Sequence, residues 1–325
     1  MDVLTDLLSR SRARGAGFSH TVVRGAAGVR FPPGPGLAVH VMVDGEAYLT
    51  VDGADTDGAD TDGAAPVRMV AGDLVLVRGT ERHRLATPAD ARCRDLVDLL
   101  AEGPVGGSSR AYAVGPAEGP TTAVFFCGAY LFDGDLCDPL LAALPDTVVL
   151  RPAAGGALRA TADLLGREVL GRDGHEDAPG QQALLDRLLD VALVQVLRQH
   201  FAEAGPAAPA WFRASADAGV GAALRALHAD PAAPWTVASL ATEAALSRGA
   251  FARRFRDRLG VAPLEYLTDW RMALARERLR DSDDGLAAVG AAVGYRSEFA
   301  FAAAFKRHHG APPGRWRADA HRAVH

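Results

Sequence analysis

Serine, phenylalanine, glycine and proline recur at one fixed interval in the last hundred residues. Ala241, Ser247, Ala250, Phe251, Phe255, Gly260 and Pro263 overlay Ala291, Ser297, Ala300, Phe301, Phe305, Gly310 and Pro313 at a spacing of fifty, the mark of an internal repeat. Each copy predicts a short Ala-rich helix, a tight turn and a second amphipathic helix opening on serine. That is the layout of a helix-turn-helix unit, whose second helix lies in the DNA major groove. The chemistry on offer is hydrogen bonding to base edges and phosphates. Arg248 and Arg253 are read as base-edge residues of the first unit, because arginine donates bidentately to guanine. Gly249 and Arg254 accompany them. Arg296, Ser297, Glu298, Lys306 and Arg307 are the polar residues of the second unit, with Ser297 and Glu298 acting either on bases or as helix caps. Phe251, Phe255, Phe301 and Phe305 stand four apart in each copy and read as core.

These residues need a rigid spacer. Pro263 to Arg280 reads as one helix carrying Trp270, Leu274 and Leu279 on one side and Arg271, Arg276, Arg278 and Arg280 on the others. Eighteen helical residues span roughly 27 Å, which sets two recognition helices near one DNA turn apart, about 34 Å. The turns fall at Ala245-Leu246-Ser247 and Gly294-Tyr295-Arg296-Ser297, with Gly294 supplying the conformation that ends a helix.

Charge agrees with this division. The 325-residue chain carries a net −5, but from Asp217 onward 16 Lys and Arg face 12 Asp and Glu, leaving 19 basic and 28 acidic residues elsewhere. A +4 segment on a −9 body fits a basic reading head. Half the residues are hydrophobic, at 49%, yet no apolar run reaches the roughly 20 residues that cross a bilayer. Met1 to Leu8 reads as an acidic amphipathic helix rather than a secretion signal. The chain is expected to be cytoplasmic and off the membrane.

Residues 30 to 135 alternate as strands do, in runs at 37–43, 46–51, 73–77 and 122–126 broken by Gly, Pro and Asp, a pattern suited to a small barrel or jelly roll. Asp52 to Gly63 is an acidic duplication, read as a hairpin tip over a cation loop because no closing Glu follows. From 136 to 204 the period becomes helical, notably Leu184 to Leu197, which packs on the barrel or on a dimer partner. Gly205 to Pro209 breaks the chain as a linker. The expected organisation is a sensor at 1–135, a helical connector and dimerisation region at 136–204, a linker at 205–215 and a DNA-binding domain at 216–320.

Cys93, Cys127 and Cys137 form no CxxC pair, which excludes a zinc ribbon. Cys127, beside Gly128 at the end of an apolar strand, is either a buried inert thiol or a redox sensor. Cys137 lies within reach of a disulfide to it. Cys93, between Arg92 and Arg94 in an expected loop, has neighbours that lower a thiol pKa. His40 and His83 complete the candidate sensing residues; their spacing supports no metal site. No nucleophile-base constellation or phosphate-cradling loop stands out, so no catalytic residue, metal or cofactor is assigned.

Trp235-Thr236-Val237-Ala238-Ser239-Leu240-Ala241, Leu246 to Phe255 and the stretch Val289 to Pro313, with Val293-Gly294-Tyr295, Ser297, Phe299, Phe301, Phe305, Lys306, Gly310 and Pro313, resemble the AraC/XylS family of transcription regulators. The likeness covers about residues 218 to 318 and implies an all-helical module of about seven helices. Gly72 to Leu85 is similar to the second motif of a cupin, and Val124 to Phe132 to the Cys-Gly stretch of a cupin-type sensor in one subgroup, some of whose members sense oxidants by cysteine. The first cupin motif would supply two histidines and a glutamate, whereas His40 is followed by Val41 and Met42. The resemblance therefore implies an α+β protein of two domains: a cupin-like β-barrel with flanking helices kept as a sensor, and an all-α double helix-turn-helix. It also implies a regulator that is not an enzyme, with double-stranded DNA, RNA polymerase, a small-molecule or oxidant effector and a second copy of itself as partners. The rival expectations are a cupin enzyme fused to a DNA-binding module, and a constitutive DNA binder whose barrel serves only to dimerise.

Overall fold

The computed structural model describes all residues except 11–18, 35, 52–64, 80–81, 104–110, 131–136, 171–178 and 324–325. The acidic duplication at Asp52 to Gly63 lies outside the described residues. The chain divides into two compact units, one made of Arg12–Phe132 with Leu144–Glu203, the other of Met1–Ser11, Asp133–Ala143 and Ala204–His325.

The first unit is built on a nearly closed, barrel-shaped sheet. Its strands are β1 (Ser19–Arg24), β2 (Ala27–Phe31), β3 (Leu37–Val51), β4 (Val67–Val70), β5 (Leu74–Arg78), β6 (His83–Thr87), β7 (Cys93–Asp95), β8 (Ala111–Val114), β9 (Thr121–Tyr130) and β10 (Thr147–Leu150). The main path runs β7-β2-β6-β3-β9-β1-β8, with β4 and β5 also on β3 and β10 on β5. The pairs β1–β8 and β2–β7 are parallel and the others antiparallel. One strand, β3, holds the two halves together: Leu37–Val41 pairs with β5, and Glu46–Val51 with β4 and β6. The runs at 37–43 and 46–51 are thus a single strand, because Gly45 bends it without ending it. Its φ of +71° and the Thr122 carbonyl oxygen, 2.1 Å from where a Cβ would stand, leave room only for glycine.

Period-2 alternation puts Met42, Leu49, Met69, Val75, Leu85, Phe125 and Cys127 into one interior cluster. Alternate residues such as Val39, Leu74 and Leu76 face outward and are buried as well, and α4 (Ala157–Val169) packs against β3. Helix α2 (Leu96–Glu102) sits beside β2 and β7. Helix α5 (Gln181–Ala204) buries Leu185, Leu189, Leu193, Val196 and Leu197. The segment expected to be wholly helical from 136 contains β10, four residues too short for a period to register.

The second unit gathers α1 (Val3–Arg10), α3 (Asp138–Ala142), α6 (Ala210–Ser215) and seven further helices: α7 (Ala218–Ala229), α8 (Val237–Glu243), α9 (Arg248–Leu259), α10 (Pro263–Asp281), α11 (Leu286–Ala292), α12 (Glu298–His309) and α13 (Pro313–Ala323). The stretch expected as a linker, 205–215, carries a 3₁₀ turn at Gly205–Ala207 followed by α6. Helix α10 spans 19 residues, about 28 Å. Phe251, Phe255, Phe301 and Phe305 are fully buried.

Candidate nucleic-acid interface and buried thiol cluster

Two helix-turn-helix pairs, α8–α9 and α11–α12, flank α10. Each recognition helix opens on a serine cap: Ser247 Oγ accepts from the Ala250 amide at 3.3 Å, and Ser297 Oγ from the Ala300 amide at 3.2 Å. This satisfies an amide that the first turn leaves without a carbonyl partner. Ser297 thus caps α12, one of the two roles expected of it. Each helix ends on a left-handed glycine, Gly260 and Gly310.

The repeat differs from the sequence overlay in one respect. The amide of Leu246 donates to Ala241 and that of Tyr295 to Gly290, so Ala241 corresponds to Gly290, not to Ala291. Ala241 is 2% exposed while Ala291 is exposed. The first helices repeat at 49 and the recognition helices at 50, and the extra residue in the second turn is Arg296. The left-handed position falls on Ala245 (φ +52°) in one unit and Gly294 (φ +86°) in the other.

On α9, Arg248, Gly249 and Arg253 are exposed. A Cβ on Gly249 would lie 3.6 Å from a guanidinium nitrogen of Arg253, so that side chain extends over the glycine at the helix entrance. Arg254 is held differently: its Nε donates to Asp217 at 2.9 Å, as does that of Arg258 at 3.2 Å. Asp217 also caps α7 through the Gly219 and Val220 amides. Burial opposes its charge, but these amides and guanidiniums outweigh it and lower the carboxyl pKa. Arg254 therefore braces α9 against α7. Arg296, Glu298, Lys306 and Arg307 are exposed on α12 and its turn.

In the barrel, register brings three of the five candidate sensing residues together. His40 and Cys127 are opposite each other on β3 and β9, and Phe31 is opposite His83 on β2 and β6. Nδ1 of His40 lies 2.7 Å from Cys127 Sγ, and its Nε2 lies 2.8 Å from His83 Nε2. All three residues are buried, and Phe31 stacks on His83 with ring centroids 4.8 Å apart. Burial pushes the Cys127 thiol well above its ordinary pKa; burial and the neighbouring His83 hold His40 well below its own. Both are therefore neutral at rest. One tautomer set satisfies the chain: the thiol donates to His40 Nδ1, and His40 Nε2–H donates to His83 Nε2. Because His40 meets its partners through opposite ring edges, the thiol and His83 do not converge on one point. Among the described residues no three His, Cys, Asp or Glu side chains are placed to hold a metal ion.

The other two cysteines are elsewhere. Cys93 begins β7 instead of lying in a loop, its Sγ 3.5 Å from the Ala91 carbonyl, and Arg94 is engaged by Glu102. Cys137 belongs to the helical unit, where Sγ donates to the Leu7 carbonyl at 3.7 Å and burial pushes the thiol up to about 12. Cys93, Cys127 and Cys137 are all free thiols, so the disulfide that ten residues' separation allowed is not formed. Separately, a cleft of about 470 Å³ lies on the barrel, lined by Met42, Asp44, Gly72, Arg159, Asp163 and Arg167.

A family described as Cupin matches residues 2–202, and one described as Helix-turn-helix domain matches 240–319. An AraC-like transcription regulator of Streptomyces antibioticus is 33% identical over 318 residues, covering 98% of both chains. The chain belongs to the AraC-like transcription regulators. A second AraC-like regulator, from Streptomyces lividans, is 47% identical over 134 residues, 41% of this chain and 44% of that one. The HTH-type regulator AlkR of Acinetobacter baylyi is 27% identical over 86% of this chain and 87% of its own. Among solved structures, the DNA-binding domain of AdpA in complex with a target DNA is 34% identical and covers 32% of this chain and 93% of its own, with a TM-score of 0.30. This AraC-like regulator thus joins a cupin domain to a DNA-binding helix-turn-helix domain. Among its described residues no helix is long and apolar enough to cross a membrane.

One polar constellation of the regulator went unread in the sequence. His228 of α7 bonds Asp6 Oδ2 of α1 through Nδ1 at 2.7 Å and the Tyr266 hydroxyl of α10 through Nε2 at 2.8 Å. Both side chains of the His228–Asp6 pair are fully buried. They are 222 residues apart, and nothing local marks either as a partner.

Proposed function

We propose that this transcription regulator reads DNA with α9 and α12 in successive major grooves, and that its barrel senses thiol oxidation and thereby alters DNA binding or promoter activation. The observation that carries the sensing half is the buried Cys127–His40–His83 chain. Sulfur attacks the terminal oxygen of a peroxide, the O–O bond breaks, and the thiol becomes a sulfenic acid while the peroxide leaves as an alcohol or water. Because the resting pair is neutral, the thiol proton moves to His40 Nδ1 only as the sulfur–oxygen bond forms, and from there it passes to the leaving oxygen. A sulfenic acid in this packed interior changes both volume and hydrogen bonding at the β3–β9 seam. A coupling of about 1 to 3 kcal/mol shifts affinity roughly 5- to 150-fold.

Arg248 and Arg253 contact base edges from α9; Lys306 and Arg307 serve phosphates beside α12. The regulator acts as a homodimer and contacts RNA polymerase. The second stripe of α5 supports the dimer: Leu184 and Val191 are 41% and 45% exposed while the opposite stripe is buried, a face suited to a copy of the same helix. A small-molecule effector is the second reading, favoured by the charged cleft beside α4.

The test is DNA binding by the purified reduced protein, titrated with and without hydrogen peroxide, beside Cys127→Ala. A peroxide-dependent shift that the variant lacks is expected. A shift that survives the substitution overturns Cys127 as the sensing thiol, and no shift in either protein directs the search to the cleft. Stoichiometric metal lost from a His40→Ala/His83→Ala variant would instead favour a cupin enzyme.

A further inference from the structure

The two recognition helices present unlike chemistry at equivalent positions. At the repeat of fifty, Gly249 corresponds to Phe299 and Arg253 to Ala303. On α9 the glycine carries no side chain and the Arg253 guanidinium lies over it. On α12 the same patch carries the Phe299 ring, 88% exposed, next to exposed Ala300 and Ala303. Phe299 is the second residue of its helix, close behind the Ser297 cap, where a recognition helix meets base edges. Exposed Arg296 precedes it and exposed Lys306 and Arg307 follow two turns on, cations that would seat the helix on the phosphates.

The buried members of α12, Phe301, Ala304 and Phe305, lie on the opposite side and pack against α11. Phe299 thus has no part in the fold of its unit, and an aromatic ring in water is a cost without a ligand. The base edges of the major groove offer one prominent apolar group, the thymine 5-methyl.

We infer that Phe299, backed by Ala303, reads a thymine methyl, so that the two halves of the operator are unlike: guanine read by arginine at α9, thymine read by phenylalanine at α12. This rests on the reading that α12 enters the major groove. Full-length protein is used to select duplexes from a randomised pool, and each thymine in the half protected by α12 is replaced by deoxyuridine, which lacks only the methyl. The wild type is expected to lose about fourfold in affinity at one or two positions, the factor for uncovering one methyl-sized group. Phe299→Ala is expected to bind the thymine duplex correspondingly less well and to be indifferent to deoxyuridine. Arg253→Ala keeps the deoxyuridine sensitivity while losing guanine preference in the other half. Equal deoxyuridine effects in wild type and Phe299→Ala, or none in the wild type, overturn the inference while leaving α12 in the groove. Loss of promoter activation in Phe299→Ala at unchanged DNA affinity also overturns it and assigns the ring to a protein partner. Absence of any protected α12 half removes the reading beneath it as well.

Discussion

His40 carries the barrel's clearest pH signature. Its folded pKa lies well below the ordinary 6.5, so below about pH 6.5 the unfolded chain binds a proton that the folded barrel refuses. Stability contributed by the neutral imidazole is present above that value and lost as pH falls, at up to about 1.4 kcal/mol per pH unit for one group. Urea unfolding at pH 7.5 and 5.5 is expected to show a larger loss in the wild type than in His40→Gln; equal losses would place the titration elsewhere. Asp217 works in the other unit. With its side chain 3% exposed, Asp217→Ala removes the α7 cap and is expected to destabilise by about 1 to 2 kcal/mol. The half-exposed Arg254 and Arg258 add little to that figure. The sequence made His40, His83 and Cys127 visible as candidates but not as a chain, because their meeting depends on the β3–β9 and β2–β6 registers. Arg254 looked like Arg253 until its partner Asp217, 37 residues earlier, came into view.

At the scale of elements, α11 crosses closely over α12. A Cβ on Gly290 would stand 2.9 Å from Phe301 Cβ, so Gly290→Ala forces two helices apart and is expected to cost about 1 to 3 kcal/mol. Gly310→Ala meets nothing within 4 Å but must hold φ +75°, a backbone penalty of roughly 1 kcal/mol. Thermal unfolding of the two variants separates crowding from strain; the reverse ranking would contradict the close crossing. The helices of this unit were legible because serine caps, terminal glycines and a 3.6-residue period agree locally. The one-residue offset between the units was not, since Gly290 and Ala291 are both small and only the turn hydrogen bonds distinguish them. In the barrel, Gly45 looked like a turn between two strands, whereas it bends one. The helix α1 was legible as amphipathic, but its buried Asp6 pairs with a histidine 222 residues later. Asp6→Ala removes one partner of the buried hydrogen bond to His228 and is expected to cost about 1 to 3 kcal/mol.

For the whole molecule, the proposed function requires a single polypeptide to read DNA at two sites. In the proposed reading the 19-residue α10, about 28 Å long, is the spacer that sets the two recognition helices near one helical turn of DNA apart. Dimerisation through Leu184 and Val191 would add a second such pair of contacts. Leu184→Glu/Val191→Glu is expected to give a monomer by sedimentation while leaving each chain's two-half footprint intact. The most direct test of the two-site claim is the affinity of this double variant for a selected duplex before and after five base pairs are inserted between its protected halves. Half a turn of rotation carries one half-site to the far side of the duplex, so affinity is predicted to fall by more than tenfold, to that of a single half-site. Unchanged affinity after the insertion would mean that only one helix-turn-helix reads the DNA.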